Sequence, residues 1–113
     1  MSQITTHILD TATGKPASDV EVVLELKDKD GWSKLGSSRT DQDGRVKDLL
    51  KEDEKIAPGI YRLTFNTAQY FAALGTQSFY PYVSVVFEIK DSSQHYHVPL
   101  LLNPFGYSTY RGS

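Results

Sequence analysis

Residues 95–113 read HYHVPLLLNPFGYSTYRGS. The segment predicts a strand, a turn and a second, aromatic-rich strand that ends at Tyr110-Arg111-Gly112-Ser113. The ends of most domains fray into polar tails. An ending built from an aromatic residue, a cation and a glycine predicts instead a tail that is held in place against the domain.

Period-two alternation of apolar and polar residues runs through much of the remaining chain. A short helix is predicted between Asn66 and Gly75, because the segment begins with a capping residue and ends with a glycine. With Gly, Pro, Asp or Asn between the alternating runs, the pattern predicts an all-β antiparallel sandwich. The apolar positions of the clearest runs are Val20, Val22, Leu24 and Leu26; Tyr61, Leu63 and Phe65; and Val83, Val85, Phe87 and Ile89.

Length, composition and charge limit the classes of protein to which this chain can belong. A chain of 113 residues predicts one domain, which can bury a core without disulfides. It contains no cysteine, which excludes disulfides and thiolate chemistry. The net charge is −2 with both signs interspersed, so neither nucleic acid nor a membrane is an expected partner. The chain does not begin with the charged and then apolar segment of a signal peptide, so we expect a cytoplasmic protein. A periplasmic location remains an alternative if a signal peptide has been removed.

His95 and His97 are two residues apart in the predicted strand, so both imidazoles are expected on one face. Neutral imidazole can act as a general base or bind a metal ion. Pro99 follows in the same run and cannot donate to a central ladder, which predicts a sheet edge or a bulge. The alternative interpretation is that both histidines are half-exposed strand residues without a chemical role.

His7 and Arg45 are further candidates. His7 lies in a predicted first strand, where a lone histidine is usually structural. Arg45 follows an Asp-Gly turn, and its guanidinium could bind carboxylate or enolate-like oxygens. An arginine after a turn is ordinarily only solvated, and no Gly-x-Ser-x-Gly elbow, Walker-type loop or dinucleotide fingerprint points to other chemistry. The arginines that compete with it are Arg39, Arg62 and Arg111.

Three separated motifs resemble those of one family. They are ITTHILDTATGKPA at residues 4–17, TDQDGR at residues 40–45 and the segment at residues 95–113. In these motifs the chain is similar to the 5-hydroxyisourate hydrolases, also called transthyretin-related proteins, and the resemblance covers nearly the whole chain. It implies a transthyretin-like antiparallel β-sandwich of about seven to eight strands with one short helix. Residues 1–113 would form a single hydrolase domain.

The resemblance also implies a reaction. Water opens the cyclic amide ring of 5-hydroxyisourate to give 2-oxo-4-hydroxy-4-carboxy-5-ureidoimidazoline in the degradation of urate. No cofactor and no metal are implied, and the expected assembly is a homotetramer, a dimer of dimers with the sites in the channel between dimers. Tyr82 departs from the pattern, since many relatives carry an acidic residue there. The implied catalytic residues are His7, Arg45 and His97, and the implied substrate-binding residues are His7, Arg45, Tyr110, Arg111 and Ser113.

Other functions stay open at this point. Transthyretin shares the fold and binds a hormone in the equivalent channel without catalysis, so a small-ligand carrier is one alternative. Such carriers lack the His/Arg/His set and the Tyr-Arg-Gly-Ser ending. A second alternative is a zinc hydrolase in which His7, His95 and His97 hold the metal and leave an open position for water. A third, a structural sandwich module, would be expected to show long linkers or repeats.

Overall fold

The computed structural model describes residues 2–51 and 54–113, so Met1, Glu52 and Asp53 lie outside the described residues. Within this part of the chain there are nine strands and one helix, α1 (Thr67–Ala73), which connects β6 to β7. The strands are β1 (Ile4–Asp10), β2 (Lys15–Pro16), β3 (Glu21–Asp28), β4 (Gly31–Arg39), β5 (Arg45–Val46), β6 (Gly59–Phe65), β7 (Val83–Ile89), β8 (Tyr96–Asn103) and β9 (Gly106–Thr109).

The strands form two sheets. The first has the order β2-β1-β8-β9, with β5 also paired to β1, and the second has the order β4-β3-β6-β7. The predicted all-β sandwich with one short helix is confirmed, with two differences in detail. The structure has more strands than the seven to eight predicted. The additional strands are missed because β2 and β5 have only two residues each, which is too short for alternation to reveal. The pairing of β1 with β8 is parallel, whereas the other pairings are antiparallel.

The core lies between the sheets and follows the predicted alternation. Leu24 of β3 and Leu63 and Phe65 of β6 are fully buried in the second sheet. They belong to one apolar cluster with Ile8 of β1 and Leu100 of β8 from the first sheet. Removing this apolar surface from water is the main term that holds the sheets together. The residues between these positions therefore point to the outer faces of the sheets.

The predicted helix between Asn66 and Gly75 is confirmed as α1. Gly75 ends it as expected, since its φ is +70° and its N–H donates to the Ala72 carbonyl at 3.0 Å. Asn66 occupies the N-cap position without a capping hydrogen bond; its side-chain amide donates to Gln69 at 3.2 Å instead. Across the described ranges, no helix has the length and apolar character needed to span a membrane.

The missing N–H of Pro99 predicted an edge strand or a bulge, and the structure shows neither at this position. Strand β8 has β1 on one side and β9 on the other. The proline fits because the β8–β9 ladder ends at Leu100 and resumes only at His97, which forms an isolated bridge with Gly112. The Pro99 carbonyl accepts a hydrogen bond from Thr109 Oγ1 at 2.7 Å. A gap in the ladder, and not a sheet edge, therefore accommodates the missing donor.

Candidate active site

The outer face of the first sheet carries the histidines and the arginine predicted from the sequence. On β1 the even-numbered residues are buried toward the core, and His7 lies on the opposite face. His7 pairs in register with Arg45 of β5, while Thr5, two residues earlier on the same face, pairs with His97 of β8. Register partners point to the same side of a sheet. Arg45, His7 and His97 therefore share one face.

A tight turn before β5 positions Arg45. Gly44 has a φ of +74°, and a Cβ there would lie 2.5 Å from the Ile8 carbonyl oxygen, so glycine is required. The side chain of Asp41 accepts hydrogen bonds from the backbone N–H groups of Asp43 at 2.9 Å and Arg45 at 3.0 Å. The hydrogen bond from Arg45 is the largest cause of a lowered pKa for Asp41. The Asp-Gly turn thus directs the arginine toward β1.

The C-terminal tail is held against β8. The Gly112 N–H donates to the His97 carbonyl at 2.9 Å. A Cβ on Gly112 would lie 2.7 Å from Cδ2 of the His97 ring and 3.1 Å from Cγ of Pro99. Only a residue without a side chain can approach the imidazole this closely. The predicted anchoring of the tail is confirmed, and it brings Ser113 beside His97.

A cleft of about 180 Å³ opens on this face. Three of the residues implied by the family resemblance, Arg45, His97 and Ser113, lie in it together. His7 neighbours Arg45 in the ladder but does not line this cleft. The polar residues that line it are Thr5, Thr6, Arg45, Lys47, His95, His97 and Ser113.

Tyr110 and Arg111 lie along a second cleft, of about 290 Å³, between the tail and β7; His97 borders both clefts. The Arg111 guanidinium donates to Gln94 Oε1 at 2.7 Å and lies 4.6 Å from the ring centroid of Tyr96. The structure therefore brings neither Tyr110 nor Arg111 to the first cleft. Tyr110 is 56% exposed and free to contact a ligand or another chain from the outer side.

The pKa values of His7 and His97 are both below the ordinary value of 6.5. Burial is the largest cause for each ring, and the positive charge of Arg45 is the next. His95 and His7 lower the pKa of His97 further, while the nearby backbone of Thr5 opposes the shift. Both imidazoles are therefore neutral near neutral pH, which is the form that can accept a proton.

The hydroxyl of Thr5 lies between two imidazole rings. Its Oγ1 is 3.0 Å from Nε2 of His95 and 2.9 Å from Nδ1 of His97. The two rings stack with their centroids 6.5 Å apart and their planes inclined by 14°. The expectation that both imidazoles project from one face is confirmed, although His95 lies just before β8.

In residues 2–51 and 54–113, no group of three or more His, Cys, Asp or Glu side chains is arranged to hold a metal ion. His95 and His97 each direct one ring nitrogen at the Thr5 hydroxyl, so a hydroxyl oxygen at hydrogen-bond distance occupies the position between these nitrogens. The arrangement gives no support to the three-histidine zinc hydrolase.

Thr5 and Lys47 line the cleft but were not among the site residues predicted from the sequence. Each lies two residues from a predicted site residue, Thr5 before His7 and Lys47 after Arg45, and the two-residue period of a strand could have found both. The contact of Thr5 with the histidines depends on the β1–β8 pairing, which no local pattern specifies. Tyr82, the residue that departs from the family pattern, is 58% exposed and lines neither cleft of the candidate site.

The chain matches a known family over nearly its whole length. Residues 4–112 match the model of the HIUase/Transthyretin family. The chain belongs to this family. It is 54% identical over 110 residues to the 5-hydroxyisourate hydrolase of Salmonella dublin, covering 97% of this chain and 80% of that protein. It is 47% identical over 114 residues to the 5-hydroxyisourate hydrolase of Mus musculus, covering 99% of this chain and 96% of that protein.

Solved structures show the same HIUase/Transthyretin fold. The 5-hydroxyisourate hydrolase of Klebsiella pneumoniae aligns with a TM-score of 0.84 and 36% identity, covering 97% of this chain and 98% of that chain. Sea bream transthyretin, solved in complex with thyroxine, aligns with a TM-score of 0.90 and 32% identity, covering 98% of this chain and 95% of that chain. Proteins with different names thus share this fold, so the function must be argued from the site.

Proposed function

We propose that this protein is a hydrolase that opens the six-membered ring of 5-hydroxyisourate with water, giving 2-oxo-4-hydroxy-4-carboxy-5-ureidoimidazoline, and that residues 1–113 act as a single domain. The observation that carries the proposal is the cleft in which Arg45, His97 and Ser113 meet, with His7 paired to Arg45 beside it. Relatives named 5-hydroxyisourate hydrolase, which are 43% to 54% identical to this chain, support the same substrate.

His7 and His97 activate the attacking water in this proposal. Their lowered pKa values support the assignment, because a neutral imidazole can take a proton from water. A positioned general base is worth ~10²–10⁴ in rate. No covalent intermediate is needed, since water can attack the ring carbonyl directly.

Arg45 binds the oxygens of the planar, partly anionic ring and stabilises the negative charge that develops at the attacked carbonyl. A cation held in advance by a rigid turn serves this purpose well, because little reorganisation is needed during the reaction. Ser113 hydrogen-bonds the ring, and Tyr110 contributes from the second cleft, which shares His97 with the first. Arg111 binds substrate only if its guanidinium leaves Gln94, so its role requires a rearrangement of the tail.

We infer that the active assembly is a homotetramer, a dimer of dimers. Ligand pockets usually have volumes of about 300–1,000 Å³. The cleft has only about 180 Å³, and a second copy laid over this face would deepen and close it. Size-exclusion chromatography with light scattering gives the mass in solution, and a monomer at micromolar concentration would contradict the inference.

The test of the activity generates 5-hydroxyisourate in the cuvette with urate oxidase. This protein is then added, and the decay of the ultraviolet absorbance of the intermediate is followed with and without a chelator. Because the substrate decays on its own, the rate without the protein is the baseline. The proposal, which involves neither a cofactor nor a metal ion, predicts accelerated decay that survives the chelator.

Two other results would contradict the proposal. Acceleration that is lost with chelator and restored by zinc would point to histidine-bound zinc. An absence of acceleration by the folded protein would favour a small-ligand carrier, to which the similarity with sea bream transthyretin in complex with thyroxine also points. Ligand screening would then replace the kinetic assay.

A further inference from the structure

The Thr5 hydroxyl joins His97 to a histidine for which the proposed mechanism has no role. Thr5 is 6% exposed, and its Oγ1 is within hydrogen-bond distance of Nδ1 of His97 and Nε2 of His95. His95 is exposed to solvent, whereas His97 is partly buried. Among the described residues, Nε2 of His97 has no hydrogen-bond partner. The ring therefore has one nitrogen fixed by Thr5 and one nitrogen available to a ligand.

A hydroxyl carries a single proton, so the two contacts of Thr5 depend on each other. If Nδ1–H of His97 donates to Thr5, the Thr5 hydroxyl can donate to Nε2 of His95, and Nε2 of His97 is left without a proton. If Nε2–H of His95 donates to Thr5, the hydroxyl can donate to Nδ1 of His97, and Nε2 of His97 carries the proton. The direction of this chain of hydrogen bonds thus sets the tautomer of His97.

We propose that Thr5 and His95 are positioning residues that hold His97 as the Nδ1–H tautomer and conduct the proton it accepts to solvent. This inference rests on the proposed hydrolase function. It makes Nε2 of His97 the atom that receives the proton of the attacking water. His95 and Thr5 act through His97 and do not contact the reacting atoms.

The proton movement balances. Nε2 of His97 takes a proton from water as the hydroxide bonds to the substrate carbonyl. Nδ1 of His97 releases its proton to Thr5 Oγ1, whose own proton passes to Nε2 of His95. His95 then releases its Nδ1 proton to solvent, so one proton moves from the attacking water to bulk water. When the C–N bond of the ring breaks, Nε2 of His97 gives its proton to the departing nitrogen. Thr5 returns its proton to Nδ1 of His97 and regains one from Nε2 of His95, and His95 takes a proton from solvent at Nδ1, which restores the starting tautomers.

The charges around His97 favour this exit. Arg45 and Lys47 face the cleft from β5 and the residue after it, and His7 approaches from β1. The charge of Arg45 and the neighbouring rings of His95 and His7 all disfavour the cationic form of His97. A proton accepted by His97 is therefore electrostatically unfavourable there, and its transfer toward the solvent-exposed His95 removes this unfavourable interaction.

The test measures two quantities, the tautomer of His97 and the kinetics of the reaction. The chain has three histidines, so nitrogen-detected NMR spectra can be assigned with single substitutions. We expect the Nδ1–H tautomer of His97 in the parent protein and the Nε2–H tautomer in Thr5→Val. His95→Phe keeps a ring stacked on His97 but removes the proton acceptor. In both variants kcat should fall about tenfold or more, with little change in KM. This loss is a part of the ~10²–10⁴ in rate that a positioned base contributes.

Two controls separate this role from a structural one. Thr5→Ser keeps the hydroxyl and should restore the tautomer and most of kcat. Thr64→Val removes a hydroxyl that contacts Ser84 at 3.2 Å in the other sheet, and it should leave both readouts unchanged. If Thr5→Val does not fold, His95→Phe at an exposed position still decides the matter.

The failures of the two proposals are distinguishable. A parent protein that does not accelerate the decay of 5-hydroxyisourate overturns the proposed function. An active parent protein whose His97 has the same tautomer in Thr5→Val, or whose kcat is unchanged in His95→Phe, overturns this inference and leaves the proposed function standing.

Discussion

Gly112 lies directly against the imidazole of His97. The N–H of the glycine donates to the histidine carbonyl at 2.9 Å, and a Cβ on it would be 2.7 Å from the ring atom Cδ2. The tail and the ring therefore cannot move independently: a side chain at position 112 must displace one of them. The orientation of a proposed catalytic base is thus coupled to a residue fifteen positions later in the chain.

Gly112→Ala is expected to lower kcat/KM by about 10²-fold, because a displacement of about 1 Å in a reacting group can cost that much. The thermal unfolding midpoint should change little, since the tail lies outside the core. Gly106→Ala in the same terminal hairpin is the matched control, because its Cβ would meet only the Asn103 side chain at 3.6 Å. Equal turnover in the two variants would contradict the coupling.

Arg45→Glu is expected to abolish turnover, with a loss of at least ~10³ in kcat/KM, because it replaces a stabilising cation by an anion. Arg45 is exposed, so circular dichroism and thermal unfolding should show an intact fold. Arg39→Glu reverses the charge of an exposed arginine that pairs with Asp19 at 3.5 Å on the other sheet, and it serves as the control. Turnover near that of the parent protein in Arg45→Glu would overturn the role of the arginine.

The pH dependence follows from the lowered pKa values of His7 and His97. A base must be unprotonated to act, so kcat/KM should fall only as the pH drops below about 6.5. Arg45→Met removes the second-largest cause of the shifts, so both pKa values should rise and the acid limb should move to higher pH. NMR titration of the histidines measures the pKa values even if this variant is inactive.

The lowered pKa values of His7 and His97 also predict the direction in which the stability of the fold changes with pH. Because the folded-state pKa of each ring lies below its unfolded value, the unfolded chain binds more protons between the two values. The free energy of unfolding should therefore decrease as the pH falls from about 6.5 through the folded-state pKa values. An acid limb of kcat/KM centred above the ordinary histidine value, or unchanged pKa values in Arg45→Met, would contradict the electrostatic account.

Tyr70→Phe tests the link between α1 and the first sheet. The Tyr70 hydroxyl donates to Oδ2 of Asp10 at 2.8 Å, and Asp10 is only 1% exposed. Its loss leaves a buried carboxylate oxygen without that partner, which should lower the free energy of unfolding by about 1–3 kcal/mol in urea titrations. Tyr82→Phe, at a 58% exposed position, should change it by less than about 0.5 kcal/mol. Equal stability of the two variants would show that the hydrogen bond contributes nothing.

Much of the fold could be predicted because it depends on local patterns. Alternation over Leu24 and over Leu63 and Phe65 identified the buried faces, since a strand turns its side chains to opposite sides. Gly75 marked the end of the helix because it can take a positive φ. The two-residue strands β2 and β5 were missed, since their length carries no period. An edge or a bulge was expected at Pro99 because its missing donor is visible in the sequence, whereas a gap in a ladder is not.

The sequence alone therefore determined the class of fold, the turn that holds Arg45 and the identity of the residues in the three motifs. The tertiary structure decided which of them meet. Thr5 and His97, 92 residues apart, become neighbours only through the parallel pairing of β1 with β8. Gly112 reaches His97 only because β9 returns along β8. Period and turn chemistry are local properties of a chain, but the choice of strand partners depends on how the two sheets close around a common core.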